Sequence, residues 1–180
     1  MYFLTSERLG FRHWREDDFE LAMALWGDPA VTQFIDARTP LQPDQVQAKL
    51  ADEITRQQRH GIQYWPIFLR MDGRHVGCCG LREKEPAKGI LEFGVHLRRD
   101  FWGMGLASEA GRAAITCAFE HGIAHQLFAG HHPQNHGSRQ MLLKLGFRHL
   151  GDEYYAPTGL LHPSYLLASA PTSAPTHANQ

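Results

Sequence analysis

Apolar residues recur along the chain with two periods, and the switches between those periods mark out a succession of strands and helices. Arg8 to Trp14 alternates apolar and polar positions as a half-buried strand does. The acidic cluster Glu16-Asp17-Asp18 then opens a helical pattern through Leu21, Leu25 and Trp26, which Gly27-Asp28-Pro29 ends. Gln42-Pro43-Asp44 starts a second helix, with Val46, Leu50 and Ile54 on one face and His60-Gly61 as its stop. Tyr64 to Arg70 and His75 to Leu81 flank the turn pair Asp72-Gly73 and predict a hairpin, and Gly89 to Leu97 predicts a further strand.

Gly105 to Glu120 contains no helix breaker but Gly111 and sets Ala107, Ala110, Ala114, Cys117 and Ala118 at helical spacing, so it predicts a long helix closed by His121-Gly122. Leu127 to Gly130 follows as a short strand and Asn135 to Leu145 as a helix ended by Gly146; Phe147 to Tyr155 and Leu160 to Leu167 are the last strands. This order predicts a mixed α/β (α+β) fold with hairpins at both ends. A single domain over residues 1–168 accounts for all of these elements. Residues 169–180, rich in small residues and proline and lacking hydrophobic anchors, are expected to be a disordered tail.

Composition removes several function classes. With 18 Lys and Arg against 19 Asp and Glu, a net charge of -1 and no basic run longer than Arg98-Arg99, nothing points to nucleic acid. No run approaches the ~20 apolar residues that cross a bilayer, and Met1 to Arg8 lacks the regions of a signal peptide, so a cytoplasmic protein without membrane partners is expected. Cys78, Cys79 and Cys117 cannot build a disulfide framework and suit a reducing compartment as buried small hydrophobes. Among the 12 histidines, His132 and His136 stand four apart, but Pro133 lies between them and no Glu follows the first, so no metal site is expected.

The segment Leu97-Arg-Arg-Asp-Phe-Trp-Gly-Met-Gly-Leu-Ala-Ser-Glu-Ala110 carries the chemistry, because a strand runs through two closely spaced glycines directly into a long helix. Gly103 and Gly105 allow a turn without a Cβ, so the N–H groups of Met104, Gly105, Leu106, Ala107 and Ser108 can converge on one anion at the positive end of the helix dipole. GxxxxGK[ST] is absent, and Ser108 occupies the last glycine position of a dinucleotide-binding GxGxxG. A purely structural turn before a helix is the competing local reading.

Trp102-Gly103-Met104-Gly105-Leu106-Ala107 resembles the R/Q-x-x-G-x-G/A acyl-CoA motif of the GNAT N-acetyltransferase superfamily, with Trp102 in place of Arg or Gln. With Ser108-Glu109-Ala110 it is similar to the variant of the RimJ/RimL branch, which acetylates ribosomal-protein N-termini. Asn135-His-Gly-Ser138 through Lys144-Leu-Gly146-Phe147 is similar to that branch's N-x-x-S-x-x-x-x-x-K-x-G-F segment. Further similar stretches are Thr5 to Leu9 with Arg12-His-Trp14, Gly61 to Trp65, Val76 to Leu81 and His162 to Leu167, so the resemblance spans residues 3–167.

The resemblance implies a GNAT fold, with helices on both faces of a mostly antiparallel sheet that splays between its fourth and fifth strands, here Leu91 to Leu97 and Leu127 to Gly130. It implies acetyl-CoA as donor, a peptide N-terminus or small-molecule amine as acceptor, direct transfer, and a monomer or homodimer. Cofactor contacts would come from Val95, Leu97, Trp102, Gly103, Met104, Gly105, Leu106, Ala107, Ser108, Asn135, Ser138 and Lys144. Glu92 is the first candidate for the base, with His96 as rival and a paired structural carboxylate as the plain alternative. Relatives often place a thiolate-protonating Tyr four residues beyond the position of Ser138; Leu142 stands there, which leaves Ser138 as the hydroxyl. Local physics alone makes Asn135 a helix N-cap and Ser138 a first-turn residue. Trp26, Phe34, Tyr64, Trp65, Tyr154 and Tyr155 are candidates for the acceptor pocket. A non-catalytic acyl-CoA-binding module on the same fold is the alternative function.

Overall fold

A computed structural model describes residues 1–169; the expected disorder of the tail lies outside the described residues for all but its first position. Eight strands form one sheet in the order β1-β2-β3-β4-β5-β6-β8-β7. They are β1 Leu4–Thr5, β2 Leu9–Phe11, β3 Tyr64–Leu69, β4 His75–Glu85, β5 Ile90–Leu97, β6 Gln126–Gly130, β7 Arg148–Tyr155 and β8 Leu160–Ala168. The helices are α1 Phe19–Trp26, α2 Pro29–Thr32, α3 Pro43–His60, α4 Leu106–Glu120 and α5 His136–Lys144.

Every neighbouring pair is antiparallel except β5 with β6, which run parallel and pair only through Ile90↔Gln126, Leu91↔Leu127 and Glu92↔Phe128. β4 continues to hold β5 on its other edge as far as Gly77↔Leu97. Beyond Glu92, therefore, β5 is paired on one side only and the sheet opens. The opening lies between the two strands expected, but these are fifth and sixth in the chain, because the short β1 precedes the strand predicted first.

Two cores sandwich the sheet. On one face the small side chains of α4, Ala110, Ala114 and Ala118, let the helix approach Leu91, Phe93 and Leu127 closely. Gly111 belongs to that contact: a Cβ there would stand 2.6 Å from Leu145 Cδ1 and 3.1 Å from Phe93 Cζ, which outweighs the roughly 1 kcal/mol that a helical glycine costs. On the other face, α1 and α3 bury Leu25, Trp26, Val46 and Leu50 with Trp14, Tyr64 and Cys78.

Three departures from the sequence pattern exceed a single residue at an element's end, each for a local reason. The strand expected over Arg8 to Trp14 stops at Phe11, because Trp14 N–H donates to the Gln63 side chain at 2.9 Å and its indole to the Tyr64 carbonyl at 2.7 Å. Asp28-Pro29 ends α1 but also starts α2, with Asp28 Oδ1 accepting Ala30 N–H at 2.8 Å. β4 runs on to Glu85 because Arg82, polar in pattern, inserts between Glu53 and Tyr64.

Candidate active site

The opening between β5 and β6 widens into a cavity of about 800 Å³, bounded by the heads of α4 and α5, the α2 segment and the β7–β8 hairpin. α4 supplies one end. Gly103 and Gly105 take φ of +74° and +75°, a left-handed conformation that any other side chain would strain. Gly105 is the N-cap residue, and among the described residues no side chain caps the helix. The first N–H groups of a 15-residue helix thus face the cavity through Leu106, Ala107 and Ser108.

Two residues that the pattern did not single out hold this turn. Glu109 accepts from the Ser6 hydroxyl at 2.6 Å and from Arg8 N–H and Nε at 2.7 Å each, and Arg8 Nη1 donates to the Met104 carbonyl at 3.1 Å. The Arg8 and Ser6 contacts hold the Glu109 carboxyl below the usual range despite some burial. Both residues lie in stretches similar to the family pattern, but a partnership across 101 positions has no local signal. Trp102 donates its indole N–H to the Leu97 carbonyl at 2.9 Å, tying the turn to the end of β5. Trp102 is therefore a structural pin beside the cavity.

Along β5, Glu92, Val95 and Leu97 all border the cavity. Glu92 is half-buried and accepts from the Tyr64 hydroxyl at 3.1 Å. Gly94 makes room for that phenol, since a Cβ there would overlap the Tyr64 ring and hydroxyl. Burial, then the nearby Glu92 charge, raises the Tyr64 pKa well above the ordinary value, so Tyr64 remains a donor. Behind it, the Arg82 guanidinium lies 4.0 Å over the Tyr64 ring and forms an ion pair with Glu53, which is fully buried.

From α5, Asn135 caps the helix by accepting Ser138 N–H at 3.0 Å, and Asn135, Ser138 and Lys144 line the cavity. Leu142 is buried in the core with one edge on the cavity. Phe34, Tyr64, Tyr154 and Tyr155 also border it.

Three expected site residues lie elsewhere. Trp26 is fully buried under α3 and donates its indole N–H to His96 Nδ1 at 3.2 Å. Trp65 is 2% exposed and donates to Gln57 at 3.0 Å. Their large apolar area and single donor are satisfied inside the core, so neither lines the cavity. Met104 turns to solvent at 50% exposure and contributes its backbone alone.

The sequence reading set His131 and His132 aside with the other histidines and gave His162 no role, yet the side of the cavity that carries Phe34 and Tyr155 bears all three imidazoles. His131 donates through Nδ1 to the His132 carbonyl at 2.8 Å and meets the Tyr165 hydroxyl at Nε2, 3.2 Å away. The His162 and Tyr155 rings pack with centroids 4.7 Å apart. Burial lowers the pKa of His131 and His162, which favours the neutral form of each. Among the described residues no group of three or more His, Cys, Asp or Glu is placed to hold a metal ion, and no helix is long and apolar enough to cross a membrane.

A free helix head, two left-handed glycines and a half-open sheet edge fit a long ligand bearing a diphosphate at one end and amides along its length. Comparison with known proteins agrees. Residues 8–148 match the acetyltransferase (GNAT) domain family. The chain is 27% identical over 168 residues to the uncharacterized N-acetyltransferase p20 of Bacillus licheniformis, covering 92% of this chain and 94% of that protein. Its fold is similar to that of the Salmonella typhimurium acetyltransferase that modifies the N-terminal serine of ribosomal protein L7/L12, with a TM-score of 0.78 at 19% identity over 92% of this chain and 97% of that one. The structure of the RimL ribosomal L7/L12 α-N-protein acetyltransferase in complex with coenzyme A also superposes, with a TM-score of 0.78 at 19% identity, covering 91% of this chain and 95% of that one. The chain belongs to the GNAT acetyltransferase family and is an N-acetyltransferase that uses acetyl-CoA.

Proposed function

We propose that this protein moves the acetyl group of acetyl-CoA directly to a primary amine, a protein N-terminus or a small-molecule amine, from the cavity between β5 and β6. One observation supports this reading above the others: the uncapped head of α4 and the Glu92 carboxylate open onto the same cavity, at opposite ends of the unpaired stretch of β5.

Acetyl-CoA supplies the thioester; the chain's part is to bind, orient and manage protons. The N–H groups from Met104 to Ser108 hold the diphosphate. The peptide groups of Phe93 to Leu97, unpaired toward β6, line up the amide-bearing arm, with Val95 and Leu97 against it. Glu92, oriented by Tyr64, accepts the proton of the incoming ammonium directly or through water. Ser138 stands near the thiol end as the hydroxyl that returns a proton to the departing thiolate. Phe34, Tyr154 and Tyr155 line the acceptor side, and the same reading puts the enzyme in the cytoplasm.

The test is to follow free thiol from acetyl-CoA with a panel of amino-terminal peptides, amino acids and polyamines, and to identify products by mass. Thiol release that requires the amine and yields its acetylated form supports the proposal. Release that is independent of every amine argues against it.

A further inference from the structure

His96 lies on β5 two residues beyond Gly94, on the face that carries Glu92 and Tyr64. Its Nδ1 is engaged from behind by two groups of the α1/α3 core. The indole N–H of Trp26 points at it from 3.2 Å, and Sγ of Cys78 lies 3.7 Å away. An indole nitrogen can only donate. The thiol is protonated too, its pKa pushed up to about 12 by burial. Nδ1 is therefore an acceptor, and the single hydrogen of the neutral ring sits on Nε2.

Nε2 has no protein partner among the described residues. It is also absent from the buried polar atoms that lack one, which include both ring nitrogens of His75. With Trp26 and Cys78 both fully buried and His96 itself bordering the cavity, the open edge of the ring is the one that bears Nε2–H.

We infer that His96 is a fixed hydrogen-bond donor, holding through Nε2–H a carbonyl oxygen of a bound substrate, and that it is not a base. This rests on the acetyl-transfer reading above and replaces the role of rival base that the sequence alone suggested. Desolvation, with the Lys49 and Arg82 charges nearby, keeps the ring neutral well below its ordinary range, so the donor persists across physiological pH. The carbonyl can belong to the acyl-CoA arm or to the acceptor, and these sources differ in what a variant loses.

Long-range proton–nitrogen NMR of the imidazoles reads the tautomer without any turnover. The expected result is Nε2–H for His96 from about pH 6 to 8, the range around the ordinary histidine pKa, with that resonance shifting when coenzyme A or the acceptor is added. Trp26→Phe, which removes the donor at Nδ1, is expected to raise the Nδ1–H fraction. In the assay, His96→Gln, which retains an amide donor, is expected to keep kcat/KM within about threefold. His96→Leu is expected to lose ten- to a hundredfold, the scale of one polar group left without its partner. Loss of coenzyme A affinity assigns the oxygen to the acyl-CoA arm; a raised acceptor KM at unchanged coenzyme A affinity assigns it to the amine substrate. An Nδ1–H or charged ring in the wild type, or equal losses in the Gln and Leu variants, overturns the inference. If no amine is acetylated but the Nε2–H resonance responds to coenzyme A, the transfer reading fails and the donor role stands; if neither ligand moves it, the donor role fails.

Discussion

The Tyr64 hydroxyl donates to Glu92 Oε1 at 3.1 Å across a position that only glycine can fill, with Gly94 beneath the phenol ring. This fixes where the carboxylate points and leaves its other oxygen for a ligand. Glu92→Gln is expected to lower turnover by about 10²–10⁴, the usual contribution of a positioned base, with acetyl-CoA affinity unchanged. Tyr64→Phe keeps the ring and is expected to cost about tenfold or less, the scale of one hydrogen bond. Steady-state kinetics with calorimetry of acetyl-CoA checks both, and an unchanged pH–rate profile in Glu92→Gln removes Glu92 from the proton transfer.

The support behind Tyr64 is an ion pair inside the protein. Glu53 is fully buried, accepts Tyr64 N–H at 2.8 Å and pairs with Arg82. Arg82→Leu leaves that carboxylate without its main partner and is expected to destabilise the fold by about 3–5 kcal/mol. Combining it with Glu53→Leu is expected to restore part of the loss, measured as non-additivity in urea unfolding.

His75 gives stability a pH dependence. It is 3% exposed, neither ring nitrogen has a hydrogen-bond partner among the described residues, and it packs between Trp14 and Phe68 at centroid distances of 5.6 and 5.3 Å. Burial, aided by the Arg98 charge, lowers its pKa to about 4, against an ordinary 6.5. The unfolded chain thus binds the proton first. Stability is complete above pH 6.5 and is lost as pH falls from there through about 4, by on the order of 3 kcal/mol. His75→Phe is expected to flatten the unfolding profile over that window; an unchanged slope assigns the acid sensitivity to other groups.

The order of strands and helices was legible because periodicity changes sharply at Gly27, Gly61, Asp72-Gly73 and Gly146. The turn ahead of α4 was legible because its left-handed backbone needs glycines at fixed places. Contacts between distant segments were not. Glu109 anchors Ser6 and Arg8 from about a hundred positions away, and Arg82 is held by Glu53 from α3, and neither partnership leaves a local pattern. Trp26 and Trp65 failed as pocket residues for the same reason: an aromatic in sequence carries no record of whether its donor meets a ligand or, as here, His96 and Gln57.

The head of α4 depends on backbone that ordinary residues resist. Gly105 at φ +75° has open space around it, with only Arg8 Nη2 at 3.8 Å from a notional Cβ, so Gly105→Ala acts through conformation rather than collision. A left-handed alanine costs about 1–2 kcal/mol. The expected effect is a roughly tenfold loss of acetyl-CoA affinity with α4 intact by circular dichroism. Arg8→Ala, which releases the Met104 carbonyl, is expected to weaken binding in the same direction.

The most direct measurement is backbone amide NMR of the full chain titrated with coenzyme A and, separately, with pantetheine, which lacks the diphosphate. The largest shifts with coenzyme A are expected at Met104 to Ser108, with a second set along Phe93 to Leu97; pantetheine is expected to reproduce only the second. Shifts that leave Met104 to Ser108 unmoved by coenzyme A would contradict the assignment of this helix end as the diphosphate site.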